Sequence, residues 1–126
     1  LFSNSVAPVI VGTSLEALDL LDRSDELRIR LHDNSERFRS RREDAGFTLA
    51  GAGHPTIPVM LGDASLAGEM ADRLLDEGIY VFGFSFPVVP GGEARIRTQM
   101  SAAHTTEHID RAVDAFVAVG TDMGVI

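Results

Sequence analysis

The apolar positions fall into runs of different period, and each change of period marks an element. Over residues 5–22, Val9, Ile10, Val11, Leu15, Leu18, Leu20 and Leu21 surround most of a helix circumference. This predicts a helix buried nearly all round, against another domain or a partner chain. Pro8 is tolerated because it falls in the first turn. Ser24, Asp25 and Glu26 cap a second helix that runs to about Ala45, where Gly46 stops it. Its apolar stripe of Leu27, Leu31, Phe38 and Ala45 is narrow. Arg28, Arg30, Arg37, Arg39, Arg41 and Arg42 cover much of the remainder, many of them three or four residues from Asp33, Glu36 or Glu43. That spacing predicts a solvated, ion-paired face.

Shorter periods follow. Residues 47–50 predict a short strand, and Gly51-Ala52-Gly53-His54-Pro55 a turn. Residues 56–61 predict a second strand, which Pro58 confines to an edge or a bulge. Asp63 caps a helix to Glu77 with the stripe Leu66, Met70, Ala71 and Leu74, ended by Gly78. Residues 79–84 predict a third strand and residues 85–92 a stiff apolar loop, in which Phe86, Val88 and Val89 stay exposed unless something packs over them. A fourth strand contains Arg95, Ile96 and Arg97. Thr105 then caps a helix with the stripe Ile109, Ala112, Val113 and Phe116, running to about Val119, with Gly120 opening the tail. The expected fold is a small α/β sandwich, with a short, mainly antiparallel sheet and helices packed on one face.

Composition narrows the function. The 126 residues carry 19 acids against 11 bases, a net charge of -8, which argues against nucleic acid and an anionic membrane surface. No apolar stretch is long enough to span a bilayer. Cysteine is absent, which excludes disulfides, thiolate chemistry and cysteine-ligated metals. Lysine is absent too, so no mechanism that needs a lysine base or Schiff base is completed within these residues. The chain opens on Leu1, which suggests a piece of a longer or processed polypeptide.

The chemistry concentrates late in the chain. Alternation in a strand puts Arg95 and Arg97 on one face and Ile96 on the other. Two planar cations on a rigid strand beside a helix start suit a bidentate carboxylate clamp; the plainer reading is a pair of solvated strand charges. Ser3, Asn4 and Ser5 either cap the first helix or hold a phosphate at its positive end. His104-Thr105-Thr106-Glu107-His108 has the spacing of an inverted zinc-peptidase motif, with Asp110 or His54 as third ligand. Thr105 as N-cap, however, leaves His104 outside the helix, so no metal is expected. Glycine loops of the phosphate-binding kind are also missing, since Gly91-Gly92 lacks the frame and Gly51-Ala52-Gly53 leads into a strand.

Taken together, Leu1-Phe2-Ser3-Asn4-Ser5, Phe47-Thr48-Leu49-Ala50-Gly51, Pro87-Val88-Val89-Pro90 and Arg95-Ile96-Arg97-Thr98-Gln99-Met100-Ser101-Ala102-Ala103-His104-Thr105 resemble the C-terminal part of the α-oxoamine synthases. These are pyridoxal-phosphate enzymes of fold type I. The resemblance covers essentially the whole chain and is nearest to members that condense glycine with acetyl-CoA to 2-amino-3-ketobutyrate and CoA, in threonine and glycine metabolism. It implies the small C-terminal domain over residues 23–126, and a connecting helix over residues 1–22 from a large domain that holds the cofactor lysine. It further implies a cytoplasmic homodimer with shared active sites. Arg97 matches the substrate-carboxylate arginine, with Arg95 as support. Ser3 and Asn4 match a segment that reaches the cofactor phosphate of the neighbouring subunit, and no catalytic residue is assigned within the chain. Thr106, Phe82 and Ser85 depart from the family's usual residues without touching the clamp. Two other readings stand beside this one: another α-oxoamine synthase, such as one making 8-amino-7-oxononanoate, or a non-catalytic folding or dimerisation domain.

Overall fold

The computed structural model describes residues 5–126. In chain order the elements are α1 (Pro8–Arg23), α2 (Glu26–Asp44), β1 (Thr56–Gly62), α3 (Ala64–Asp76), β2 (Phe82–Phe84), β3 (Ala94–Gln99) and α4 (Thr106–Asp122). The three strands form one antiparallel sheet in the order β1-β3-β2, so the arginine strand is central. Pro58 lies on an edge strand, as its missing N–H requires. Its carbonyl accepts from the Ala50 N–H at 2.9 Å on the outer side, and the ladder to β3 loses nothing.

One sheet face is covered. Ile57, Val59 and Ile96 point into a core shared with Met70 and Leu74 of α3 and Phe116 of α4. Gly83 on β2 lets α3 lie this close, because a Cβ there would stand 2.8 Å from the Ala67 carbonyl oxygen. Helix α4 packs on α3, and α2 packs on α4. The expectation of helices on one face therefore holds.

Several boundaries differ from the sequence reading. The strand expected at residues 47–50 is reduced to a single bridge, Leu49 to Val59. The strand expected from residue 79 begins only at Phe82, because the Ile79 N–H still bonds the Leu74 carbonyl at 2.8 Å and holds the chain against the end of α3. Gly120 does not end α4. It is a buried contact point inside the helix, where a Cβ would approach Phe47 Cζ to 2.6 Å, and Gly124, at φ 67°, follows the true end.

Helix α2 gives the largest correction. Leu27 is exposed, and Arg42 is the most deeply buried cation, at 0% exposure. Leu31, Ser35, Phe38, Arg42 and Ala45 share the inward face at helical spacing. The Arg42 guanidinium carbon lies 3.4, 4.4 and 4.8 Å from the ring centroids of Phe116, Phe47 and Phe38, and none of its nitrogens has a hydrogen-bond partner. Burial pushes its pKa well below the ordinary arginine value, to about 8. The three rings act the other way, because aromatic faces favour the cation. Among the other arginines of α2, Arg39 pairs with Glu43 as expected and Arg28 with Asp25, Arg30 has no acid partner among the described residues, and Arg37 and Arg41 pair across to α4. Arg37 and Arg41 both reach Asp110, at 2.7 and 2.6 Å, and Arg41 also reaches Asp114.

Helix α1 buries no residue within the chain, and its N-cap is Ala7, without a side-chain bond. Val9, Leu15 and Leu18 are 73%, 59% and 62% exposed, on different sides of the helix. No described helix is long and apolar enough to cross a membrane.

Candidate functional site

Alternation along β3 is strict. Ala94, Ile96 and Thr98 are buried, and the Thr98 hydroxyl donates to the Ile57 carbonyl at 2.6 Å, which locks the strand in register. Arg95 and Arg97 therefore project from the face that no helix covers. Across the ladder, Arg97 stands opposite Pro58 and Phe82, and Arg95 opposite Met60 and Phe84.

The two arginines are not equivalent. Arg95 is held by its own approach loop: its Nε donates to the Glu93 carbonyl at 2.9 Å and its Nη2 to the Glu93 carboxylate at 2.7 Å. Arg97 has no carboxylate partner among the described residues. Its guanidinium carbon lies over the Phe84 ring, 4.6 Å from the centroid. A guanidinium resting on a ring keeps its in-plane N–H groups for another acceptor, and their fork matches a carboxylate. The sequence reading singled out Arg97 but missed Glu93 and Phe84. Glu93 could have been found from its spacing of two before Arg95, whereas Phe84 becomes a neighbour only through the β2–β3 register.

The turn after β3 is pinned by side chains. Asn34 of α2, buried, donates to the carbonyls of Ser101 at 3.0 Å and His104 at 2.9 Å. His104 Nδ1 accepts from the Ser101 N–H at 3.2 Å. Thr105 caps α4 as expected, its hydroxyl accepting from the His108 N–H, while His108 Nδ1 accepts from the Thr105 N–H. Both imidazoles thus serve the helix entry. Asp110, nominated as a third ligand, is taken by Arg37 and Arg41. The Arg37 hydrogen bond, opposed by burial and aided by Arg41, holds its carboxyl down at about 2. His54 accepts from the Thr56 N–H in a separate turn. Among the described residues no group of three or more acids and histidines is placed to hold a metal.

Between residues 78–81 and the end of β3, where pairing has not begun, a cleft of about 350 Å³ opens beside Tyr80, Met100, His108 and Arg111; neither strand arginine lines it. Phe86 and Val88 of the stiff loop are exposed, 74% and 71%, with nothing among the described residues packed over them. Ser3 and Asn4, singled out for a cofactor phosphate, lie outside the described residues.

A family model described as aminotransferase class I and II matches residues 1–116. The chain belongs to the aminotransferase class I and II family. Within that family it is 60% identical over 126 residues to the 2-amino-3-ketobutyrate coenzyme A ligase of Salmonella typhimurium, covering all of this chain and 32% of that protein. Identity to the 8-amino-7-oxononanoate synthase of Symbiobacterium thermophilum is 40%, with the same coverage. Among solved structures, a serine palmitoyltransferase from S. paucimobilis with bound PLP–myriocin aldimine superposes with a TM-score of 0.90 at 31% identity, over 100% of this chain and 32% of that one. The aminotransferase-family chain thus spans about a third of the length of the curated relatives it matches.

Proposed function

We propose that these residues form the C-terminal third of a pyridoxal-phosphate-dependent glycine C-acetyltransferase, which joins glycine to acetyl-CoA to give 2-amino-3-ketobutyrate and CoA. The observation that carries the reading is Arg97, a guanidinium without an acid partner among the described residues, on a strand face that no helix covers. The gap in identity between the ligase at 60% and the oxononanoate synthase at 40% favours the glycine and acetyl-CoA chemistry over its nearest alternative.

The fit to the cofactor is partial. With no lysine in the sequence, its covalent anchor and the proton-removing base come from outside these residues. What this chain offers is a grip on the amino acid, with Ser3 and Asn4 proposed to reach the cofactor phosphate of a neighbouring subunit. When bound, the cofactor supplies an electron sink for charge left on the α-carbon. Arg97 donates two parallel N–H groups to the glycine carboxylate and fixes its direction, so that a proton rather than carbon dioxide is presented for removal. Glu93 keeps Arg95 out of that contact. The exposed apolar surface of α1 and the residue 85–92 loop would be covered by the remainder of the polypeptide and by a second subunit.

The test is Arg97→Ala in the full-length protein. A charge-assisted contact is worth about 1.5 to 3 kcal/mol, so kcat/KM for glycine should fall at least about tenfold to a hundredfold. Loss of orientation should add to this. Full activity in that variant would remove Arg97 from the site, and a preference for pimeloyl over acetyl donors would move the protein to the oxononanoate branch.

A further inference from the structure

Resting on that reading of Arg97, we propose that Phe84 is a positioning residue for substrate binding: its ring holds the Arg97 guanidinium in the orientation that receives the carboxylate. Arginine has many rotamers, and an unpaired one on an open strand face loses much side-chain entropy when it binds. Something must restrict it beforehand if it is to act as a clamp. An acid would do so only by occupying the N–H groups that the substrate needs, which is the state of Arg95 beside Glu93. A ring restricts the cation without consuming a donor.

The geometry supplies such a ring. Phe84 pairs with Arg95 across the ladder, one step along β2 from the pairing of Phe82 with Arg97, so it meets Arg97 on the diagonal, where long side chains on one face touch. The guanidinium carbon is 4.6 Å from the Phe84 centroid, inside the range of cation–ring attraction. Phe82, directly opposite Arg97, turns instead to Tyr80, edge to face with centroids 5.0 Å apart. Phe84 itself is set by Gly83, whose missing Cβ lets α3 seat against β2. The sheet register therefore selects Phe84, not the nearer Phe82, as the partner of the clamp.

The experiment uses the full-length, cofactor-loaded protein. Phe84→Leu keeps an apolar strand residue and removes the ring face; Phe84→Tyr keeps the face. The expected result is a KM for glycine raised about fivefold in Phe84→Leu, the order set by a cation–ring contact, with KM for acetyl-CoA unchanged. Phe84→Tyr should stay within about twofold of the parent, and adding Phe84→Leu to Arg97→Ala should cause no further loss. An unchanged glycine KM in Phe84→Leu, an equal rise in both KM values, or a Phe84→Tyr as impaired as Phe84→Leu would overturn the proposal. If Arg97→Ala is damaging while Phe84→Leu is silent, only the role of Phe84 fails. If Arg97→Ala is itself fully active, the clamp falls first.

Discussion

Replacing Arg42 with methionine should make the fold more stable, although it deletes the most buried cation in the protein. The guanidinium has no hydrogen-bond partner for any of its nitrogens. The fall of its pKa from the ordinary arginine value to about 8 reflects burial alone and corresponds to roughly 6 kcal/mol at about 1.36 kcal/mol per pKa unit. Three ring contacts, at 3.4 to 4.8 Å, return roughly 3 to 6 kcal/mol together at most. The two nearly cancel, and the cation is close to a neutral passenger. Methionine is similar in length, fills irregular space and makes favourable contacts with ring edges. Its own burial is worth about 1.5 to 3 kcal/mol. The expected gain is about 1 to 3 kcal/mol, in line with buried ionic groups elsewhere that are replaced by apolar ones of similar volume.

Native-state hydrogen exchange on the full-length protein reads this element by element. Amides in the interior of α2 and α4 should be protected roughly tenfold to a hundredfold more in Arg42→Met, while those of α1 stay unchanged. Arg42→Ala, which leaves three rings around an empty space, should lie about 2 to 4 kcal/mol below the methionine variant. Lower protection in Arg42→Met than in the parent would refute the reasoning, since it would mean that the rings return far more than burial costs.

Other outcomes follow from the same packing. Gly83→Ala places a Cβ 2.8 Å from backbone that cannot move cheaply and should cost about 1 to 3 kcal/mol in urea unfolding, whereas Gly68→Ala, with nothing within 4 Å, should gain about 0.5 to 1 kcal/mol from helix propensity. Asp110 has a folded-state pKa depressed from 3.8 to about 2, so its contribution to stability is complete above about pH 4 and is lost as the pH falls through 2; Asp110→Asn should flatten that acid limb of the unfolding midpoint. Residues 1–126 alone, lacking lysine, should develop no yellow absorption with pyridoxal phosphate, and the exposed α1 should make them self-associate in light scattering; a monodisperse monomer would count against a covered α1.

Short-range physics made much of the molecule legible in the residues themselves. Asp63 and Thr105 announce the starts of α3 and α4 because a cap acts within one turn, and the side chains of both accept the expected backbone N–H. Alternation along β3 sorted Arg95 and Arg97 onto one face for the same reason, since the pleat has a period of two wherever a strand forms. The absence of lysine showed, before any fold was known, that a lysine-dependent mechanism is not completed within these residues. Contacts between distant segments were a different matter. Arg42 read as a surface charge because its identity outweighed its place in the stripe, and only the meeting of α2, residue 47 and α4 built a ring cage around it. Gly120 read as a stop signal, yet Phe47 decides that no side chain can stand there. The hold of Glu93 on Arg95 is local, two residues apart, whereas the seat of Arg97 over Phe84 depended on the pairing of β2 with β3, a register across strands that no local pattern encodes.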